Sequence, residues 1–330
     1  MATLAVNALT LLDHAKRLDP DGAIADIAEV LEQSNEILMD MAFMEGNLPT
    51  GHKTTIRSGL PAATWRQLNY GVQPSKSSTV QITDSIGMLE NYSQVDKSLA
   101  DLNGNTAEFR MSEDMAFIEG MNQDFASTIF YGDTRVNAER FMGLAPRYSQ
   151  KSGAENGANV LLGGGAGSTN TSVWLVAWGA NTIHGIYPKG SMAGLHTQDL
   201  GEQTLIDAAG GKYQGYRTHY KWDCGLTVRD WRYVVRIANV DVTALTKNAA
   251  TGADLIDLMA QALEQIQDLT KGKPVFYVNR TIKSFLRRQM MNKANVNLTL
   301  QDVGGKSVMM FDGVPVRRCD KLLSTEATIS

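Results

Sequence analysis

The stretch from Leu48 to Tyr92, LPTGHKTTIRSGLPAATWRQLNYGVQPSKSSTVQITDSIGMLENY, constrains this chain more than any other. It mixes β-branched Thr, Ile and Val with Gly, Pro and Ser and shows no helical period, so it reads as an extended, hairpin-like arm. Turn signals at Gly59-Leu60-Pro61 and Gly71-Val72-Gln73-Pro74 divide it, and Trp65, Arg66, Leu68 and Tyr70 between them are candidate docking points. A compact monomer rarely carries so long a stretch without packing of its own, and bare strand edges need cover. A neighbouring subunit would supply that cover.

The rest of the composition describes a folded body. At 330 residues with 43% hydrophobic content the chain can bury a real core, as one large or two intergrown domains. Its 31 basic and 35 acidic residues are well mixed and leave a net charge of -4, so no single-sign field draws the whole chain onto DNA or lipid. Cys224 and Cys319 stand far apart in no metal-binding spacing, which speaks against a structural zinc or a disulfide framework and fits a reducing compartment. The first residues carry Asp13 and Lys16 among short apolar pieces, and the run Val173 to Trp178 is too short to cross a bilayer. A soluble chain made in the cytosol is expected.

Periodicity predicts a first helix over Ala23 to Glu45, with Ile24, Ile27, Leu31, Leu38 and Met41 inward and Gly46-Asn47 and Pro49 stopping it. A second, from about Asn105 to Tyr131, opens on a capping-box spacing and carries Met115, Ile118, Met121, Phe125 and Ile129 as its buried stripe. At about 40 Å it suits a strut, although an ordinary core helix would show the same pattern. Gly163 to Ser168 reads as a loop; Val173 to Trp178, Tyr213 to Trp222 and Trp231 to Val242 read as strands. Then come a helix over Leu255 to Leu269, a strand at Val275 to Val278, and a helix over Thr281 to Lys293. Two closing strands, Lys306 to Phe311 and Val314 to Arg318, turn at Asp312-Gly313. The class is mixed α+β.

No constellation for catalysis emerges. Gly304-Gly305-Lys306-Ser307 has the tail of a phosphate loop, but Leu300 stands where its first glycine belongs and a strand follows. Gly163 to Gly167 fails the dinucleotide spacing. His14, His52, His184, His196 and His219 form no HExxH, HxH or helical pair, and Ser191 has Lys189 where a nucleophile elbow needs glycine. Glu113-Asp114 fits a solvated helix face rather than a buried general acid. Arg217, Tyr220, Lys221, Trp222, Arg229, Trp231, Arg232 and Tyr233 could line a single-stranded nucleic-acid surface, but their alternation fits a half-buried strand better.

Several motifs resemble the major capsid proteins of short-tailed double-stranded DNA phages of the Bordetella-phage and epsilon-fifteen kind. They are Asn47-Leu48-Pro49-Thr50-Gly51-His52, Thr64-Trp65-Arg66, Gly71-Val72 with Pro74-Ser75-Lys76-Ser77, Gly87-Met88-Leu89-Glu90, Leu102-Asn103-Gly104-Asn105, Ser112-Glu113 and Gly143-Leu144-Ala145-Pro146. The resemblance implies an α+β Hong Kong 97-like capsid fold. Residues 1–47 would form the N-terminal arm and helix, 48–104 the projecting extended loop and its return, and 105–148 the strut of the peripheral domain. Residues 149–330 would form the apical domain, with final strands returning to the peripheral domain; the stretch from Ser149 to Gly211 has no clear counterpart.

The function so implied is structural: self-assembly into pentamers and hexamers of an icosahedral head in the bacterial host cytoplasm, with no cofactor, metal, membrane or catalytic residue. A portal, a scaffold and a small cementing protein are the implied partners, and packaged DNA would be touched weakly and non-specifically. Trp65 and Arg66, with Tyr70 and Lys76, are the subunit-contact candidates, an aromatic and a donor fork being common hot-spot chemistry. Gly46, Gly51, Gly59 and Gly71 are the hinge candidates, because one sequence must fit five-fold and six-fold clusters. Two rivals remain: an encapsulin-like compartment shell, and a soluble hydrolase with its site between Trp174 and Trp231.

Overall fold

Strand β5, Asn170–Trp178, is buried along its whole length, and this explains its unbroken apolar run. The computed structural model describes residues 9–10, 13, 33–207, 209–246, 252–290, 298–303 and 306–330, with backbone alone for 103, 298–303, 306 and 307. Val173, Leu175 and Ala177 of β5 face a core closed by helices Leu255–Gln265 and Arg280–Met290. Trp174, Val176 and Trp178 face a second core, which holds Ile37, Phe125, Ile129, Phe130 and Tyr148.

Around β5 the central sheet runs β11 (Leu298–Val303), β12 (Lys306–Phe311), β13 (Val314–Arg318), β10 (Lys273–Val278), β5, β9 (Val234–Asp241), β4 (Val160–Leu162). β10 lies parallel to β13 and β4 to β9; the other pairs are antiparallel. Asp312 and Gly313 turn β12 into β13 with φ of +47° and +79°, the pair of positive values that a two-residue hairpin loop demands. Asp254 caps helix Leu255–Gln265 by accepting from the amides of Ile256 and Asp257. That helix stops before the expected Leu269: Ile266 is already extended, and Asp268 caps a separate 3-10 turn, Leu269–Lys271. Likewise Trp231–Tyr233 is a 3-10 turn capped by Asp230, so the strand begins at Val234. The expected helix over Thr281 to Lys293 is observed as Arg280–Met290, and its last residues lie outside the described ones.

A second group of strands carries the arm. β2 (Gly51–Gly59) pairs antiparallel with β3 (Ser78–Asp96), β3 with β8 (Lys212–Val228), and β8 with both β7 (His196–Ile206) and β6 (Ile183–Tyr187). β1 (Phe43–Glu45) runs parallel to β6, and the pairing Trp178↔Ile183 joins this group to the central sheet. The stretch from Ser149 to Gly211 thus supplies β4 to β7, including the central strand of the body.

The long helix, Thr106–Tyr131, packs against β3 and β8, with Phe125 on Trp222 at 4.4 Å between ring centres. Three details differ from the sequence reading. Asn105 makes no side-chain cap. Met121, Phe125 and Ile129 are buried as expected, but Met115 and Ile118 are 53% and 40% exposed, because Phe109 and not Met115 anchors the first half. Asp114 is half-buried instead of facing water. Of the helix expected over Ala23 to Glu45, residues 23–32 lie outside the described ones. From there on it is replaced by one turn, Ile37–Asp40, and by β1, because strand pairing with β6 and ion pairs from Glu36 to Arg317 and Lys283 outweigh the 3.6-residue period. Among the described residues no helix is long and apolar enough to cross a membrane.

Candidate assembly surface

β3 changes partner halfway along. Ser78 to Ser85 pair with β2, and from Ile86 onward the strand pairs with β8. The change of partner marks the root of the arm, beyond which the two-stranded hairpin spans roughly 30 Å at 3.4 Å per residue before its tip, with Thr54 still buried and Thr54 to Arg57 facing Arg229 to Arg232 of the body across a cavity. Every residue from 60 to 83 is exposed. The tip, 60–77, has no regular structure; Tyr70 N–H bonds to the Gln67 carbonyl across a turn at Asn69, whose φ is +66°, and Ser75 Oγ donates to the Ala62 carbonyl at 2.9 Å.

The four contact candidates all sit on this tip. Trp65 is fully exposed, Tyr70 is 71% exposed, and Leu60 and Leu68 beside them are equally bare at 80% and 87%. Arg66 and Lys76 are exposed too. An isolated hairpin is marginal in water, and a cluster of naked apolar side chains on one marks an interaction site. Sequence reasoning missed a second apolar surface, Met111, Met115 and Ile118 on one face of the long helix, because their spacing also fits a buried stripe.

The root, in contrast, is tightly tied. The Asp84 side chain, 5% exposed, pairs with Arg147 Nη2 at 2.7 Å and accepts from the Thr227 hydroxyl. Asn47 clamps β2 with two 2.7 Å hydrogen bonds to the backbone of Lys53, and Gly46 N–H donates to the Tyr187 carbonyl at 2.8 Å. His52 on β2 meets His184 on β6 edge-to-face, 5.8 Å between ring centres, a pairing that sequence separation concealed. Among the hinge candidates, a Cβ on Gly51 would lie 2.3 Å from the Asp84 carbonyl oxygen and one on Gly46 2.7 Å from that of Gly51. Gly59 closes on Ser78, while Gly71 has open space around it.

Along β8, Arg217 stacks on Tyr92 at 4.1 Å and Lys221 pairs with Glu90 and Asp223, in keeping with the half-buried-strand reading, whereas Arg232, in the 3-10 turn beyond β8, pairs with Asp230. Both cysteines are buried and free, and burial pushes the Cys319 thiol up to about 12. Among the described residues no group of His, Cys, Asp and Glu is arranged to hold a metal ion.

A long helix laid across one group of strands, a central sheet covered by helices, and a projecting hairpin together define a capsid protein of the Hong Kong 97-like fold. The capsid protein of bacteriophage JBD30 shares this fold at TM-score 0.51 and 9% identity, over 90% of this chain and 95% of that one. The bacteriophage epsilon15 structure matches at TM-score 0.80 and 39% identity, covering 100% of this chain and 99% of that one. The family model described as major capsid protein GP7 matches residues 19–330, and the chain belongs to that family. It is a structural protein of a phage capsid, of a kind that assembles into multimeric shells. The encapsulin of Synechococcus elongatus matches at TM-score 0.46 and 10% identity, over 72% of this chain and 98% of that one, too remote to carry the compartment alternative. A search of curated proteins finds no match.

Proposed function

We propose that copies of this chain close into an icosahedral head of pentamers and hexamers around double-stranded DNA, each copy laying its arm, Pro49 to about Tyr92, across a neighbour. The carrying observation is the distal hairpin, bare on both faces and tipped with Trp65, Leu68 and Tyr70. Residues 105–148 serve as the strut of the peripheral domain, 149–330 as the apical domain, and 1–47 as the N-terminal arm. Trp65 and Arg66 anchor the tip, with Tyr70 and Lys76 beside them, and the Met111, Met115 and Ile118 ridge is a receiving surface of matching chemistry.

Individually modest contacts repeated under closed symmetry allow errors to dissociate before closure and hold collectively afterwards. Assembly takes place in the bacterial host cytoplasm with a scaffold, a portal and a small cementing protein, and the chain performs no catalysis. A net charge of -4 suits an inner wall that touches packed DNA weakly and lets it move. Electron microscopy of the expressed protein, wild type beside Trp65→Ala, tests the reading. Shells from the wild type and a sharp drop in yield for the variant are expected; equal yield and stability would defeat the anchoring role, and no shells from either the assembly itself.

A further inference from the structure

The His52 and His184 pair stands where arm meets body: His52 is the second residue of β2, and His184 lies on β6, which the body holds against β8. His184 is 1% exposed, yet neither of its ring nitrogens makes a well-formed hydrogen bond in the protein, the Gly179 carbonyl exerting only a weak pull, and Nδ1 of His52 is buried and unpartnered too. A neutral imidazole offers one donor and one acceptor, and a cationic one offers two donors, so this site satisfies neither form and is far worse for the cation. The charged groups facing the pair come from three elements. Asp84 on β3 is already committed to Arg147, from the segment after the long helix, and to Thr227 on β8. Arg229, just past β8, adds like charge while donating to the Ala180 carbonyl.

We propose that the His52–His184 pair is a proton-sensitive latch at the arm root, closed while both rings are neutral and opened when a proton from solvent binds either ring. The open root gives the cation water, and Asp84 cannot compensate without leaving Arg147. Burial and then the neighbouring His52 hold His184 down to about 4, against a smaller opposing pull from the Gly179 carbonyl. Burial and then Arg229 lower His52 as well. Both rings thus have lower affinity for protons in the closed root than in water. The latch is at full strength above about pH 6.5, weakens as pH falls below that, and levels off near pH 4, where the closed-to-open ratio has dropped on the order of a hundredfold. The latch belongs to a single subunit and goes beyond the assembly reading.

Hydrogen–deuterium exchange on the full chain, from pH 7.5 to 4.5 and corrected for intrinsic rate, tests it through peptides covering 48–58 and 80–90 against β5 as reference. At least a tenfold rise in exchange at the root, with β5 unchanged, is the expected result. His184→Phe keeps a flat ring without a titratable nitrogen and should remove most of the rise. If that variant loses β5 protection at pH 7.5 and so fails to fold, His52→Gln replaces it and should at least halve the rise. A root that stays protected to pH 4.5, or a folded variant that responds like wild type, overturns the latch. Shell formation at pH 7.5, scored by microscopy on the same samples, reports on assembly separately.

Discussion

At the scale of single residues the costliest group to disturb is a buried ion pair far from the arm. Arg236 on β9 donates to Glu326 at 2.7 Å, to Ser172 Oγ at 2.9 Å and to the Tyr148 carbonyl at 3.0 Å, with its guanidinium 4.9 Å from the Trp174 ring centre. Both charged side chains are 5% exposed, and Glu326 also accepts from the hydroxyls of Tyr131 and Ser172. This cluster ties the C-terminal segment to the end of the long helix and to the central sheet, and Asn239 adds a two-bond clamp on the backbone of Ile329. Removing one partner strands a charge, whereas exposed pairs such as Lys97 with Glu202 contribute little. Glu326→Gln should therefore cost about 3 kcal/mol of unfolding free energy in denaturant titrations. Ser172→Ala should cost less, about 1–2 kcal/mol, having removed two hydrogen bonds but no charge. Similar losses for the two variants would show that the ion pair is not the dominant member of the cluster.

At the scale of elements, legibility in the sequence followed how locally each element is determined. The β12–β13 hairpin, the strand core of β5 and the extent of the long helix could all be read, because turn chemistry, a continuous apolar run and a 3.6-residue period are local signals. The helix face facing the body could not be read, since Met115 and Ile118 continue the stripe of Met121, Phe125 and Ile129 yet are bare, while Phe109, on the far side of the helix from Phe125, is buried by tertiary packing. The arm was visible as an absence of period, and its tip residues as large side chains without a packing pattern. Its root was invisible, because His52, Asp84, Arg147, His184 and Thr227 converge from five separate segments. The glycines show the same divide. Gly51→Ala should cost about 1–3 kcal/mol, since a Cβ 2.3 Å from the Asp84 carbonyl forces β2 and β3 apart, while Gly71→Ala should leave subunit stability unchanged. Equal denaturation midpoints for the two would mean that the root is not close-packed. Met115→Lys, on the bare helix face, should also leave the subunit's midpoint unchanged while lowering shell yield, read by sedimentation. A normal yield would remove that ridge from the assembly surface.

At the scale of the whole molecule, two kinds of stability are separated in space. The body holds two well-filled cores on either face of β5, and its buried polar groups include the Arg236 cluster and the Asp84 to Arg147 pair. Beyond Ile56 the arm adds a largely exposed two-stranded ladder and a tip with few internal ties, so this part contributes little to folding of its own chain. Apolar surface placed there can gain free energy only by being covered from outside, at about 25 cal/mol per Å². One such contact is weak against the entropy lost on association, but a closed shell repeats it at every copy. Replacing residues 60–77 by Asn-Gly should therefore give a subunit that unfolds at the wild-type denaturant concentration, with an unchanged slope, and stays unassembled at concentrations where wild type forms shells. Sedimentation velocity and denaturant titration on the same preparation read the two quantities independently. A large loss of subunit stability would show that the tip packs on its own body, and full shells from the shortened chain would move the joining surface elsewhere.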